Sequence, residues 1–260
     1  FGPVPCRRLD KSLGINNVPY KNCTYSCIYC QLGRTKRLAV KRKYFYETRE
    51  ILNELNEKIK KIKEKKEKVD LISFVPDGET TLDLNLSSEV EFLKKFDIPK
   101  GIITNSSLLF DEDVREAPYK FDWVSLKIDS VDKNIWRKIN RPHKKLDLSN
   151  ILEGILKFSK KFKGVLVTET MLVKGLNDSL QEAENISNFI KKINPYISYL
   201  AIPIRPPAEK YVLPPEDEKL NKIYQTFKKK IKNVEYLISY EGDDFSIFDD
   251  IEREILSITS

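Results

Sequence analysis

The sequence predicts an α/β fold, a partial (β/α)6 TIM barrel, and three observations carry that prediction. Apolar, β-rich runs alternate with amphipathic helical runs six times along the 260 residues, the pattern of a parallel βα architecture rather than a sandwich or a helical bundle. Six units fall short of the eight that close a full barrel. A cysteine-rich loop follows the first predicted strand, and barrels of this kind collect functional groups at the C-terminal ends of their strands.

The strands are read at residues 13–18, 69–75, 100–104, 121–128, 165–172 and 197–204, and the helices at 47–68, 87–96, 111–117, 149–162, 178–193 and 216–231. In the first helix Ile51, Leu52, Leu55, Ile59 and Ile62 recur at helical spacing, and seven lysines between 58 and 68 cover the rest. That distribution reads as a barrel-wall helix with a solvated outer face. An RNA-binding stripe is the competing reading, against which stands the lack of interleaved aromatics. Asp178 and Gln181 form a capping box before the next-to-last barrel helix. Gly164 suits the left-handed residue that ends the helix before it, and Pro214 and Pro215 precede the last helix, where proline fits the first turn. Residues 1–5 are expected to fold across one end of the barrel. A strand over 234–240 and a helix over 248–256 follow, so the expected organisation is a barrel domain, 1–232, with a C-terminal strand-helix extension, 233–260, packed on it.

A net charge of +7 and a pI near 9.0 permit an anionic partner such as RNA. No window approaches the roughly 20 apolar residues of a membrane span, and no signal-peptide pattern opens the chain. A cytoplasmic protein without membrane attachment is the expectation, and a reducing compartment suits thiolate-bound iron.

The run Cys23-Thr-Tyr-Ser-Cys27-Ile-Tyr-Cys30 is the most informative segment. Three thiolates on one short loop can ligate three irons of a 4Fe-4S cluster and leave the fourth open, because no fourth cysteine lies nearby. Structural zinc normally takes four Cys or His ligands, and the only histidine, His143, is distant in sequence. Lys21, Asn22, Thr24 and Ser26 suit a surface turn better than inert buried thiols would require. Four cysteines in a chain this long argue against a disulfide framework. Lys127, inside the apolar run 123–128, must face a ligand, an acid or water, because an unpaired buried ammonium is costly.

Beyond these motifs the chain carries Phe1-Gly-Pro-Val-Pro-Cys6-Arg7-Arg8, Gln31-Leu32-Gly33-Arg34-Thr35, Pro76-Asp77-Gly78-Glu79-Thr80-Thr81-Leu82, Ile103-Thr104-Asn105, Ser125-Leu126-Lys127, Ile139-Asn140-Arg141-Pro142-His143, a run from Met171 to Asp178, and Ile204-Arg205-Pro206-Pro207. Over nearly its whole length it resembles the radical S-adenosylmethionine superfamily, and within it a small wyosine-synthetase-like subgroup. The resemblance implies a 4Fe-4S cluster on Cys23, Cys27 and Cys30, and S-adenosylmethionine chelated at the open iron. It places Tyr29 beside the adenine, and Gly78, Glu79 and Thr80 at the Gly-Gly-Glu segment that meets the methionyl ammonium, with Asp77 departing from the first glycine. Ser125 and Lys127 match positions that reach the cofactor's ribose and carboxylate, with Asn105 and Thr104 as further cofactor candidates. Glu169 is left open as a site group or an outward residue. Cys6 stands where the subgroup carries serine, and reads either as a second thiol for the chemistry or as a small apolar replacement.

Arg141, His143 and Arg205, with Arg7 and Arg8, are the candidate substrate residues, since guanidinium groups suit phosphate or carboxylate. The activity so implied is reductive cleavage of S-adenosylmethionine to a 5'-deoxyadenosyl radical that abstracts hydrogen from an unidentified substrate, with electrons from a ferredoxin- or flavodoxin-like donor. RNA or a nucleoside, a peptide or protein (including activation of a glycyl-radical enzyme), and a small metabolite stay open as substrate classes. Oligomeric state is left open too. A non-enzymatic iron-sulfur or zinc-binding module is the alternative from another class.

Overall fold

Alternation along the strands sorts side chains into two cores. The computed structural model describes residues 1–6, 8 and 10–237. In chain order its elements are β1 (Val4–Cys6), β2 (Asp10–Ile15), β3 (Asn22–Cys23), β4 (Arg37–Leu38), α1 (Thr48–Glu64), β5 (Leu71–Phe74), α2 (Leu86–Leu93), β6 (Lys100–Thr104), α3 (Glu112–Arg115), β7 (Trp123–Lys127), α4 (Lys133–Asn140), α5 (Leu148–Lys161), β8 (Val165–Met171), α6 (Leu180–Ile193), β9 (Ile197–Ala201), α7 (Asp217–Lys228) and β10 (Val234–Leu237). One eight-stranded sheet runs β1-β2-β5-β6-β7-β8-β9-β10, and β3 pairs with β4 in a small second sheet. Every pairing from β2 to β10 is parallel, and only β1 runs antiparallel, on β2. The sheet curls into the predicted partial barrel.

Leu71, Trp123, Val167, Tyr199, Ala201 and Leu237 fill the inner, concave face. Ile72, Phe74, Ile102, Val124, Leu126, Leu166 and Leu200 point the other way and meet the helices. Leu55, Ile59 and Ile62 are the buried stripe of α1, as their spacing predicts. Lys127 and Glu169 share the inner face with Trp123 and Val167, and register pairs them side by side at the C-terminal ends of β7 and β8. The Lys127–Glu169 ion pair is thereby set at the end of the barrel where the parallel strands finish.

Several local expectations need correction. The first strand begins at Asp10, earlier than expected, and is preceded by β1; Phe1 continues that pairing, its amino group donating to Gly14 O at 3.0 Å. An unexpected helix, α4, follows β7, with Asp132 accepting from Asn134 N and Ile135 N at its start. The N-cap sits one residue later than read, on Ser179, whose Oγ accepts from Glu182 N at 3.1 Å, while the Glu182 carboxylate accepts from Ser130. Asp178 instead accepts from Gly175 N and from Lys219. Gly164 is not left-handed; a Cβ there would lie 2.5 Å from Asp122 O, so close strand approach explains it. Pro215 lies just before Glu216, the N-cap of α7, and so outside the first turn. The expected C-terminal strand is β10, hydrogen-bonded to β9 in the same sheet. The helix expected over 248–256, and Arg7, lie outside the described residues. Among the described residues no helix is long and apolar enough to cross a membrane.

Glu89 of α2 gives the fold a pH signature. It is buried beside Asp83, Asn17 Nδ2 donates to both carboxyls at 3.5 and 3.2 Å, and Glu89 Oε1 has no donor. Burial, and then the Asp83 charge, push the Glu89 carboxyl up to about 8. The folded protein therefore holds a proton that the unfolded chain releases near pH 4.5, and stability falls as pH rises through that window. Between about pH 6 and pH 8.5 the wild-type chain is expected to lose about 2 kcal/mol, several degrees in Tm, beyond the loss of Glu89→Gln. Parallel Tm profiles for the two proteins would show that Glu89 is ionised when folded.

Candidate active site

A cavity of about 340 Å³ opens where the parallel strands end. Cys23, Cys27 and Cys30 line one part of it, and Tyr29, Asp77, Gly78, Glu79, Asn105, Lys127, Asp129, Glu169 and Arg205 line the rest. Each sulfur has a nitrogen donor aimed at it. Asn105 Nδ2 donates to Cys23 Sγ at 3.5 Å, Asn140 Nδ2 to Cys27 Sγ at 3.4 Å and Lys21 Nζ to Cys30 Sγ at 3.3 Å. Burial, then the neighbouring Cys27, pushes the Cys23 thiol far up; burial, then Asp129, pushes Cys27 up to about 12. Burial makes the Cys23 and Cys27 thiolates costly unless a positive centre stands beside them, which is what a bound metal supplies. Among the described residues no three Cys, His, Asp or Glu side chains close on a single ion. Three sulfurs spread around one cavity suit a group with a separate metal for each, so the residues present fit an iron-sulfur cluster.

Backbone packing fixes the loop. A Cβ on Gly78 would fall 1.9 Å from Asn22 O, and Glu79 N donates to that same oxygen at 3.0 Å. Glycine is needed there so that the turn after β5 can touch the cysteine loop. The buried Glu79 carboxylate accepts from Thr81 N (3.1 Å), Thr81 Oγ1 (2.5 Å), Thr104 Oγ1 (2.5 Å) and Asn105 N (2.8 Å). Burial raises its pKa and these four donors counter the rise. Its side chain is thus committed to joining β5 and β6.

Asp129, just past β7, is the second organiser. It accepts from Tyr29 OH at 2.5 Å, Asn140 Nδ2 at 2.7 Å and Met171 N at 2.9 Å. Lys127 Nζ donates to Glu169 at 2.8 Å and sits 4.9 Å from the Tyr29 ring centroid. Arg8 pairs with the other Glu169 oxygen. Desolvation lowers the Lys127 pKa, but the Glu169 and Asp129 charges outweigh it and leave a net rise. The apolar run left a ligand, an acid or water open for this lysine, and Glu169, itself left open between inward and outward, is the acid it meets.

Four expected site residues do not line the cavity. Thr80 is buried and donates to Asn17 Oδ1 at 2.9 Å. Ser125 shares the Lys127 face but lies two residues lower, its Oγ buried without a partner. Arg141 binds Glu209 and, at 3.1 Å, Tyr211 OH. His143 accepts from Lys145 N at 3.2 Å. Arg205 does reach the rim, donating to Gln31 Oε1 at 3.1 Å. Sequence reasoning missed Lys21, Asp129, Asn140 and the Arg34–Glu209 bidentate pair at 2.9 and 3.0 Å. Asp129 carried a signal, a carboxylate directly after a strand end.

The radical SAM superfamily profile matches residues 17–190 of the chain. The chain belongs to the radical S-adenosylmethionine superfamily. It is 50% identical to the UPF0026 protein MJ1312 of Methanocaldococcus jannaschii, across 100% of this chain and 81% of that one. A solved structure of TYW1 with a lysine-pyruvate adduct bound matches at TM-score 0.60 and 17% identity, over 86% of this chain and 76% of that one. Streptococcus suis SuiB bound to S-adenosylmethionine matches at TM-score 0.63 and 14% identity, over 88% of this chain and 50% of that one. At such identities the likeness is one of fold. Membership makes the chain a radical SAM enzyme.

Asp129→Ala is expected to lower the unfolding free energy by about 3 kcal/mol in urea denaturation of the metal-free chain, because three buried donors lose their acceptor. A loss under about 0.5 kcal/mol would show that Asp129 does not hold the loop.

Proposed function

We propose that Cys23, Cys27 and Cys30 hold one 4Fe-4S cluster and that the adjoining cavity binds S-adenosylmethionine at the cluster's remaining iron. When bound, that pair supplies reductive cleavage of the sulfonium to a 5'-deoxyadenosyl radical, which abstracts hydrogen from the substrate. The observation that carries the reading is the arrangement of three sulfurs around one cavity, each with its own nitrogen donor. Such donors favour sulfur in its charged form and orient it.

The chain's own residues divide the remaining work. Tyr29, held by Asp129, offers its ring to the adenine, and Asn105 and Lys127 offer donors to the cofactor. The Gly78-Glu79 segment meets the methionyl ammonium through its backbone, since the Glu79 carboxylate is already filled. Arg205 at the rim takes an anionic part of the substrate. Arg141 supports the rim through Glu209 rather than touching substrate. Ile103 and Met171 keep part of the wall apolar, which limits water where a reactive intermediate must survive. Electrons come from an external donor of ferredoxin or flavodoxin type. RNA or a nucleoside is the substrate class the basic charge of the chain favours.

Anaerobic reconstitution with iron and sulfide, then S-adenosylmethionine and dithionite, is expected to yield 5'-deoxyadenosine. Cys23→Ala, Cys27→Ala or Cys30→Ala should each lose the visible absorbance of the cluster and reduce product to background. No product from fully loaded wild-type protein would overturn the reading.

A further inference from the structure

The basic excess of the chain is concentrated outside α1. Residues 50–68 balance seven lysines with five glutamates, whereas residues 34–49 carry seven lysines and arginines against the single acid Glu47. Segment 34–49 leaves the cavity at Thr35, which lines it. Past Lys43, Asn85 Nδ2 donates to Tyr46 O at 2.8 Å. The segment runs from the cavity along the cysteine loop, whose Lys21 and Cys23 also line the cavity.

Backbone bonds hold this border in place. Arg37 N donates to Lys21 O at 3.3 Å, Ala39 N to Cys23 O at 3.0 Å and Lys43 N to Leu82 O at 2.9 Å. Arg42 is half-buried and donates to the carbonyls of Thr81 and Asp83 at 3.1 and 2.8 Å. Two cations are therefore structural, Arg42 and the Glu209-bound Arg34. The others face outward. Lys36, Arg37, Lys41, Lys43 and Arg49 are exposed, Lys36 stands 5.3 Å over the Tyr20 ring, and no carboxylate of a described residue pairs with any of them. Between them Tyr44 is 73% exposed, with Tyr46 and Tyr20 also open to solvent.

We propose that segment 34–49 is a contact surface for single-stranded RNA, leading one nucleotide of the strand to the cavity mouth. Cations that no carboxylate of a described residue neutralises match a phosphate backbone, and the exposed Tyr44 and Tyr46 among them match unstacked bases. An acidic protein accounts for the cations but not for the tyrosines. The assignment rests on the proposed radical reading only in making RNA the substrate.

The test is fluorescence anisotropy of a labelled, mixed-sequence single-stranded RNA of about 20 nucleotides with the reconstituted full chain across a salt series. Wild type is expected to bind with an affinity that falls steeply with salt. The triple variant R37E/K41E/K43E should bind at least about tenfold more weakly, with a log-log salt slope shallower by about 2. Tyr44→Ala should cost about fivefold and leave the slope unchanged. A control of the same charge change away from the mouth, K60E/K63E/K192E, should match wild type, and melting curves establish that each variant is folded. Equal weakening by the two triple variants, a flat salt dependence, or binding of an acidic flavodoxin at this strip with RNA affinity unaltered would overturn the proposal. Formation of 5'-deoxyadenosine without RNA is expected to be unchanged in R37E/K41E/K43E. Its absence from every protein, with RNA binding intact, would sink the radical reading and leave the surface standing.

Discussion

Glu169 is the group on which the site depends. Near the C-terminal end of β8, a carboxylate facing the interior of a barrel keeps its charge only with cations at hand, and Lys127 from β7 and Arg8 from the segment joining β1 to β2 supply them. This ionic layer lies one step above Ser125 and Val167 and level with Tyr199, which register pairs with Glu169. It turns the top of an apolar barrel into a polar floor. Tyr29 then packs its ring against Lys127, so the cysteine loop is seated on the same charges.

The loop itself has little structure of its own. Among the described residues it has the short pairing of β3 with β4 and a single bridge from Tyr25 to Pro142, and its position is imposed by residues that arrive from other parts of the chain. Asn105 follows β6, Asn140 ends α4, Asp129 follows β7 and Glu209 precedes α7. Each supplies a hydrogen bond to the loop or to a side chain on it. Three sulfurs are thereby held around one space by groups drawn from several parts of the fold.

Much of this was legible in advance. Strand alternation and helical stripes gave the barrel and its order, because parallel strands buried on both faces read as apolar runs and wall helices show one apolar side. Lys127 stood out since a lysine in such a run must meet a ligand, an acid or water. Other features were out of reach. Ser125 and Lys127 share one face, and period two says nothing of depth, so one is sealed below the floor while the other lines it. Thr80 belongs to the right segment, yet the short helix it starts turns its hydroxyl toward Asn17. Helix α4 did have a signal, Asp132 ahead of Ile135, Trp136 and Ile139, that the reading passed over.

The sequence by itself determined the architecture and the three cysteines, because spacing and periodicity are local properties, and its motifs carried the resemblance to the superfamily. Only the tertiary structure decided which partner each charge meets. It matched Glu169 with Lys127 and Arg8, filled the Glu79 carboxylate with four donors, and drew Arg141 to Glu209. Those pairings join residues far apart along the chain, and they are settled by where the curled sheet brings its strand ends, which no local pattern encodes.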